Sequence, residues 1–253
     1  MVEYRQEGRV AVLTINRPEA RNAVNGDVAR TMEEGLDRLE EDEDIWVGIV
    51  TGAGPVFSAG ADLKAIASGQ AADLQTKRGG FGGIAARQRT KPLIAAVDGP
   101  ALAGGTEIVL SCDLVVASTN ARFGIPEVKR SLVAAAGGLF RLPRALPRNI
   151  AMELALTGDP IDAERAHHFG LVNELVEPGK ALEAALALAE RVTVNAPIAV
   201  RESRRVLLDG MLADDDTAWK ITFDAMAKAM ATEDFAEGPR AFIEKRAPEW
   251  KGR

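Results

Sequence analysis

Cysteine occurs once, at Cys112, and histidine twice, side by side at His167 and His168. A single thiol excludes an intrachain disulfide and a thiolate cluster for zinc, and its expected place is that of a small buried residue. Adjacent positions on a helix face different ways, so His167 and His168, in a helical stretch, do not form a metal site. Aromatic residues make up 5% of the chain, which leaves few ring faces for a cage around a quaternary ammonium. Positive charge is also short: 31 Lys and Arg against 37 Asp and Glu give a net charge of −6, which speaks against nucleic acid or an anionic membrane as partner. No apolar run is long enough to span a bilayer, and the amino-terminal MVEYRQE resembles neither a secretory signal nor a transit peptide, so the cytoplasm is the expected location. G-x-x-x-x-G-K-[ST], H-E-x-x-H and a strand-linked G-x-G-x-x-G are missing, and Ser58 and Ser111 lack both a nearby histidine and the G-x-S-x-G frame of a nucleophile.

What is present fits a soluble globular chain of 253 residues, 47% hydrophobic and 27% charged, able to bury a core as one domain or as a large domain with an appendage. Arg9 to Ile15 reads as a strand, and NRPEARNA after it as a polar loop in which Arg17 and Arg21 are candidates to meet phosphate. Val28, Met32, Leu36 and Leu39 recur at helical spacing between Asn25 and Glu41, with Glu40 to Asp44 as a solvated helix end. Ile45 to Val50 is a buried strand. Phe57-Ser58-Ala59-Gly60-Ala61-Asp62-Leu63-Lys64 then carries small residues into a helix start, which makes Ala61 a candidate N–H donor to an oxyanion and Lys64 a candidate for a phosphate.

The most informative stretch is Pro92 to Glu127. An apolar strand, Leu93 to Val97, leads through Asp98-Gly99-Pro100-Ala101-Leu102-Ala103-Gly104-Gly105-Thr106-Glu107 into a helix start whose first N–H groups have no partner within the helix. Gly104 is therefore a second candidate oxyanion donor, and Glu107, three residues on, falls on the same helix face. Leu114 to Ala117 reads as another strand, and Phe123-Gly124-Ile125-Pro126-Glu127 supplies a second carboxylate. An N–H donor beside two carboxylates suits chemistry next to a carbonyl: the donor stabilises an enolate oxygen and the carboxylates move protons.

FSAGADLK, PLIAAVDGPALAGGTE, CDLVVAS and FGIPE, in this order, resemble the crotonase (enoyl-CoA hydratase/isomerase) superfamily over essentially the whole chain, and most of all its enoyl-CoA hydratases and carnitinyl-CoA dehydratase-like members. The resemblance implies an α/β fold of repeated ββα units (ClpP/crotonase-like), with a core over residues 1–194 and a helical trimerisation region over 195–253. It implies a homotrimer or a hexamer built as a dimer of trimers. It implies an acyl-CoA thioester substrate, with no cofactor beyond the coenzyme A that the substrate carries. Its carbonyl would sit between the N–H groups of Ala61 and Gly104, with Glu107 activating water and Glu127 delivering a proton to the α-carbon, the two glutamates lying twenty residues apart as in the family's hydratases. Arg21, Ala59, Asp62, Leu63, Lys64 and, in the basic tail, Lys245 are the implied coenzyme A contacts. The alternatives are a carnitinyl-CoA dehydratase-type or enoyl-CoA isomerase activity, or an acyl-CoA-binding protein without catalysis.

Two features set this chain apart. Ala134 and Ala135 stand where the family's hydratases usually have proline and glycine. Residues Ala65 to Arg89 contain Gly79-Gly80-Phe81-Gly82-Gly83, a low-hydrophobicity segment that reads as a mobile lid or pocket wall. Because small residues dominate both borders of the expected pocket, a long or bulky enoyl chain is expected to be preferred over crotonyl-CoA. Farther on, Ala181 to Val192, Ile198 to Leu208 and Thr217 to Met230 read as helices, the last two separated by the acidic turn Asp214 to Asp216.

Overall fold

The computed structural model describes residues 1–253. The chain opens with an antiparallel hairpin, β1 (Val2–Glu7) and β2 (Val10–Ile15). Helix α1 (Gly26–Glu41) follows, its first turn capped by the Asn25 side chain, which accepts from the Val28 N–H at 3.0 Å. After β3 (Val47–Gly52) come the short helix α2 (Leu63–Ala67) and a small hairpin, β4 (Gln75–Thr76) with β5 (Gly80–Phe81). The central part comprises β6 (Leu93–Val97), β7 (Ala101–Leu102), α3 (Gly104–Val109), β8 (Leu114–Ser118), β9 (Arg122–Gly124) and a 3-10 turn over Pro126–Arg130. Helices α4 (Gly138–Ala145) and α5 (Arg148–Thr157), strand β10 (Ile161–Asp162), helix α6 (Ala163–His168) and strand β11 (Glu174–Val176) complete the sheets. Four helices finish the chain: α7 (Ala181–Thr193), α8 (Pro197–Gly210), α9 (Asp215–Met230) and α10 (Asp234–Glu244).

The main sheet has the order β1-β2-β3-β6-β8-β11 and is parallel from β2 onward. A parallel sheet covered on both faces needs strands that are apolar at every position, which is why β6 reads LIAAV and is buried throughout. Successive side chains still alternate. Ala11 and Leu13 of β2 join the large core cluster with Val28, Met32 and Leu36 of α1, whereas Val10 and Val12 join Ala185, Leu188 and Ala189 of α7 on the opposite face.

A second, three-stranded sheet in the order β10-β9-β7 does the positioning. Strands β7 and β9 run parallel with Leu102 opposite Gly124, so the turn that follows each strand emerges on the same side. The buried Thr106 hydroxyl locks the pair: it donates to the Ala101 carbonyl at 2.6 Å and accepts from the Gly124 N–H at 2.9 Å.

Helix α8 is tied to the core through one acid. Asp113, just before β8, accepts from Arg89 at 2.5 Å, from the Leu93 N–H at 2.8 Å and from Arg204 of α8 at 3.0 Å, while Arg204 also reaches the Arg89 carbonyl at 2.8 Å. Burial opposes ionisation of Asp113, but the two guanidiniums overcome it and hold the carboxyl below its ordinary range. Helices α8 and α9 and the turn between them leave Leu207, Leu208, Met211, Trp219, Phe223 and Met226 exposed, Trp219 stacked on Phe223 at 5.5 Å.

Several expectations need correction. The amino-terminal residues form the edge strand β1, whose side chains are mostly exposed, so no apolar run marks it in the sequence. Glu40 is not simply solvated: its carboxylate accepts from the Thr90 and Lys91 N–H groups at 3.0 Å each. Asp214 caps α9 by accepting the Thr217 N–H, and Asp215 and Asp216 form the first helical turn, so the acidic residues start the helix instead of separating two. Cys112 is partly buried, not fully; its thiol lies 3.6 Å from the Ile108 carbonyl, and burial pushes it up to about 12. His167 and His168 are both exposed on α6. No helix is long and apolar enough to cross a membrane.

Candidate active site

The turns after β3, β7 and β9 open onto one cavity of about 1440 Å³. Its first wall is the stretch before α2. Val24 forms a parallel bridge with Ala61: the Val24 N–H donates to the Gly60 carbonyl at 2.8 Å, and the Asp62 N–H donates to the Val24 carbonyl at 2.9 Å. In a parallel bridge the residue between the two bonded neighbours turns its own N–H and C=O the other way. The Ala61 N–H accordingly has no acceptor in the protein and borders the cavity. Ala61 precedes the helix; Asp62 is its cap, accepting from the Lys64 N–H at 3.0 Å. The buried Ser58 holds this turn, donating to the Asn22 carbonyl at 2.9 Å and accepting from the Gly60 N–H at 3.2 Å.

The second wall is the start of α3. Ala103 takes φ 53° and ψ −127°, a conformation an L-residue rarely adopts and which costs on the order of 1–3 kcal/mol. The strain reverses the chain after β7, so that the Gly104 N–H is left without an acceptor and borders the same cavity. The two turns touch. A Cβ on Gly60 would lie 2.7 Å from the Gly104 nitrogen, so glycine at 60 keeps that N–H open. A Cβ on Gly104 would run into the Phe81 ring, which lies over it from β5.

Glu107, on the next turn of α3, is 3% exposed. Its Oε1 accepts from the Ala136 N–H at 2.7 Å and from the Gly138 N–H, the first of α4, at 2.9 Å. Burial pushes its carboxyl up; the two amides and Arg141 pull it down, and Glu127 pushes it up again. Glu127, in the 3-10 turn after β9, is raised by burial, opposed by a backbone bond and by Arg130, and its Oε2 is buried without a hydrogen-bond partner. Glu107 is thus supplied with donors that favour the carboxylate, and Glu127 has an oxygen better suited to carrying a proton.

Ala61, Gly104, Glu107 and Glu127 are brought together around the cavity, and Arg21, Ala59, Asp62, Leu63 and Lys64 also border it. Lys245 does not; it ends α10 in the left-handed region, φ 56°. Arg17 is not free for a phosphate, because it is bonded to Asp62 at 3.1 Å and to the Ala23 carbonyl at 2.6 Å. Arg21 and Lys64 form no ion pair. The glycine-rich segment is a packed wall: Leu74, Ile84 and Ala85 are buried, because Gly83 lets the chain lie against the backbone of α1 at Ala29 and Glu33. Sequence reasoning missed the amides of Ala136 and Gly138, and Phe140 and Arg141, all close to Glu107 or the cavity. Gly137-Gly138 ahead of an apolar-periodic run was the available sign of a helix N-terminus there.

The family model described as enoyl-CoA hydratase/isomerase matches residues 5–253. Among characterised relatives, the enoyl-CoA hydratase EchA19 of Mycobacterium tuberculosis is 42% identical, with 100% of this chain and 96% of that protein covered. Carnitinyl-CoA dehydratase of Salmonella typhi is 37% identical over 98% of this chain and 97% of its own. The crystal structure of an enoyl-CoA hydratase from Mycobacterium tuberculosis H37Rv superimposes with a TM-score of 0.96 at 49% identity, covering 100% of this chain and 99% of that one.

Proposed function

The chain belongs to the enoyl-CoA hydratase/isomerase family, and from that premise we propose how its own residues carry out the hydration of an enoyl-CoA thioester. The reaction adds water across the α,β double bond. The thioester oxygen lies between the N–H groups of Ala61 and Gly104. The Glu107 carboxylate takes a proton from water, and the oxygen so released forms a bond to the β-carbon. The π electrons move toward the thioester, charge develops on its oxygen, and the two N–H groups stabilise it. Glu127, protonated, then gives its proton to the α-carbon on the same face. The observation that carries this reading is that two amide N–H groups without acceptors share one cavity with two glutamates of opposite hydrogen-bond supply.

Coenzyme A enters along Arg21, Ala59, Asp62, Leu63 and Lys64, with Arg21 and Lys64 as the cations for its phosphates. The exposed apolar face of α8 and α9 supports residues 195–253 as the region that assembles a homotrimer or a dimer of trimers, and Lys245 then serves a neighbouring subunit's coenzyme A. The reading needs no cofactor. A reducing, cytoplasmic setting suits a chain whose one thiol is unpaired.

The acyl end favours long or bulky uncharged chains. Small residues such as Ala85, Ala135 and Ala136 line it along with Leu132 and Val133, and each methylene buried there contributes roughly 0.8 kcal/mol. A trimethylammonium group fits poorly: the two aromatic rings of the cavity are Phe81 and Phe140, and Phe140 already has Arg141 and Arg144 each 5.1 Å from its centroid. Comparing kcat/KM for crotonyl-, decenoyl-, steroid-side-chain and crotonobetainyl-CoA tests the reading, with decenoyl- or steroid-side-chain-CoA expected to be best. Crotonyl- or crotonobetainyl-CoA as clearly the best substrate would overturn the open-pocket argument, and no turnover on any of the four would overturn the catalytic one.

A further inference from the structure

We propose that Arg141 is a positioning residue that fixes the loop whose amides hold the Glu107 carboxylate. The inference rests on Glu107 being the base, as proposed above, and adds to it what holds its amide donors in place. Arg141 projects from α4 into the cavity wall and donates to two carbonyls, Ala85 at 2.7 Å and Ala136 at 3.3 Å. Ala85 belongs to the glycine-rich wall and Ala136 to the loop before α4, so a single guanidinium ties the two walls of the acyl end together. Ala136 is also the residue whose N–H holds Glu107 Oε1 at 2.7 Å. The peptide that Glu107 leans on is therefore anchored by Arg141, one residue away along the backbone.

Space for this arrangement is made by a glycine. Gly137 has φ 101°, and a Cβ there would lie 3.0 Å from the guanidinium carbon and 3.2 Å from the Phe140 ring. The guanidinium is not held by a carboxylate. Arg141 has none within ion-pair distance, unlike Arg87 beside it, which pairs with Asp37 at 2.5 Å. The groups acting on Arg141 are Arg89 and Arg144, both cationic, the neutral thiol of Cys112, and Glu107. Those acting on Glu107 are Glu127 from the 3-10 turn and Arg141 from α4, together with the two amides. Arg130, from the same turn as Glu127, acts on Glu127 instead. Among the groups acting on Glu107, Arg141 is the cationic side chain, and it opposes a shift that burial leaves upward overall. A fork of five N–H donors spans two carbonyls on different walls from separate nitrogens and still presents charge, whereas glutamine carries no charge and lysine offers one nitrogen.

Two conservative variants separate the two jobs. Arg141→Gln keeps an amide donor and loses the charge, so the acidic limb of the kcat/KM–pH profile should move to higher pH by about half a unit or more. Arg141→Lys keeps the charge and loses the fork, so its acidic limb should stay near that of the wild type while kcat falls roughly ten-fold or more as Glu107 shifts. KM should change little in either. Both are compared with Glu107→Gln by circular dichroism, oligomeric state and turnover. A folded Arg141→Gln enzyme with its acidic limb unmoved overturns the inference while leaving Glu107 as the base if Glu107→Gln is inactive. If Arg141→Gln does not fold, Arg141→Lys decides, and wild-type kcat in that variant overturns the inference. Near-wild-type turnover of Glu107→Gln overturns the underlying reading and this inference with it.

Discussion

Glu107 and Glu127 follow paired strands of the same small sheet, yet one carboxylate accepts two backbone N–H groups and the other keeps a buried oxygen with no donor. Both are raised by burial, so desolvation alone does not tell them apart. What differs is donor supply. Helix α3 places Glu107 against the first amide of α4, whereas the 3-10 turn leaves Glu127 Oε2 without a donor. One side-chain type can then be suited to the two roles proposed for it, because the surrounding backbone supplies more donors to the carboxylate in one place than in the other.

Removing either carboxylate should break the comparison outright. Glu107→Gln and Glu127→Gln are each expected to lower kcat by about 10²–10⁴, the range for a lost general acid or base. The double variant should lie close to the worse single one, because the pair acts as a unit. Hydratase turnover near wild type in either single variant would end the assignment of paired roles.

A smaller change disturbs one member only. A Cβ added at Gly138 would stand 3.0 Å from both Cγ and Oε1 of Glu107, so Gly138→Ala must push that side chain while leaving Glu127 untouched. A displacement of this kind should cost between about ten- and a hundred-fold in kcat. Steady-state kinetics on the folded variant measures it, and an unchanged kcat would show that the amide cradle tolerates movement.

The least effect concerns stability. A carboxyl whose folded pKa lies above its unfolded value contributes stability that is complete below the unfolded pKa and is lost as pH rises through the folded one. Glu127 is raised, chiefly by burial, so Glu127→Gln should raise Tm at pH 8. At pH 4 the gain should vanish. Thermal unfolding at both values checks the sign, and a lower Tm at pH 8 would mean that ionised Glu127 is better solvated than its buried oxygen implies.

The parallel sheet was readable because fully covered strands are written as unbroken apolar runs, and Leu93 to Val97 is such a run in both the sequence and the structure. Strand β1 was not, because an edge strand with exposed side chains lacks that signature. The stretches that carry Ala61, Gly104, Glu107 and Glu127 could be named in advance, since small residues ahead of a helix announce free amides. Those that modulate them could not. Ala136 and Gly138 act through backbone N–H groups, which any residue but proline possesses, and Arg141 acts through carbonyls brought from position 85 by the fold. Arg17 shows the reverse error: its residue type suggested phosphate, but the helix cap Asp62 lies closer and takes it.

Asp113 bears on how the polypeptide can be severed. Its two guanidinium partners come from residues 89 and 204, on opposite sides of Val194 in the chain, and the tail adds a return path as Trp250 donates to the Val194 carbonyl at 2.8 Å. A fragment ending at 194 would keep a largely buried carboxylate with half its neutralising charge and would expose the carbonyl of Arg89 that Arg204 now covers. A nick at Asn195 in the intact protein, by contrast, would leave both pieces held by the same contacts. The residues after Val194 are therefore also a clasp that the interior requires, so truncation there would remove more than an exposed apolar surface.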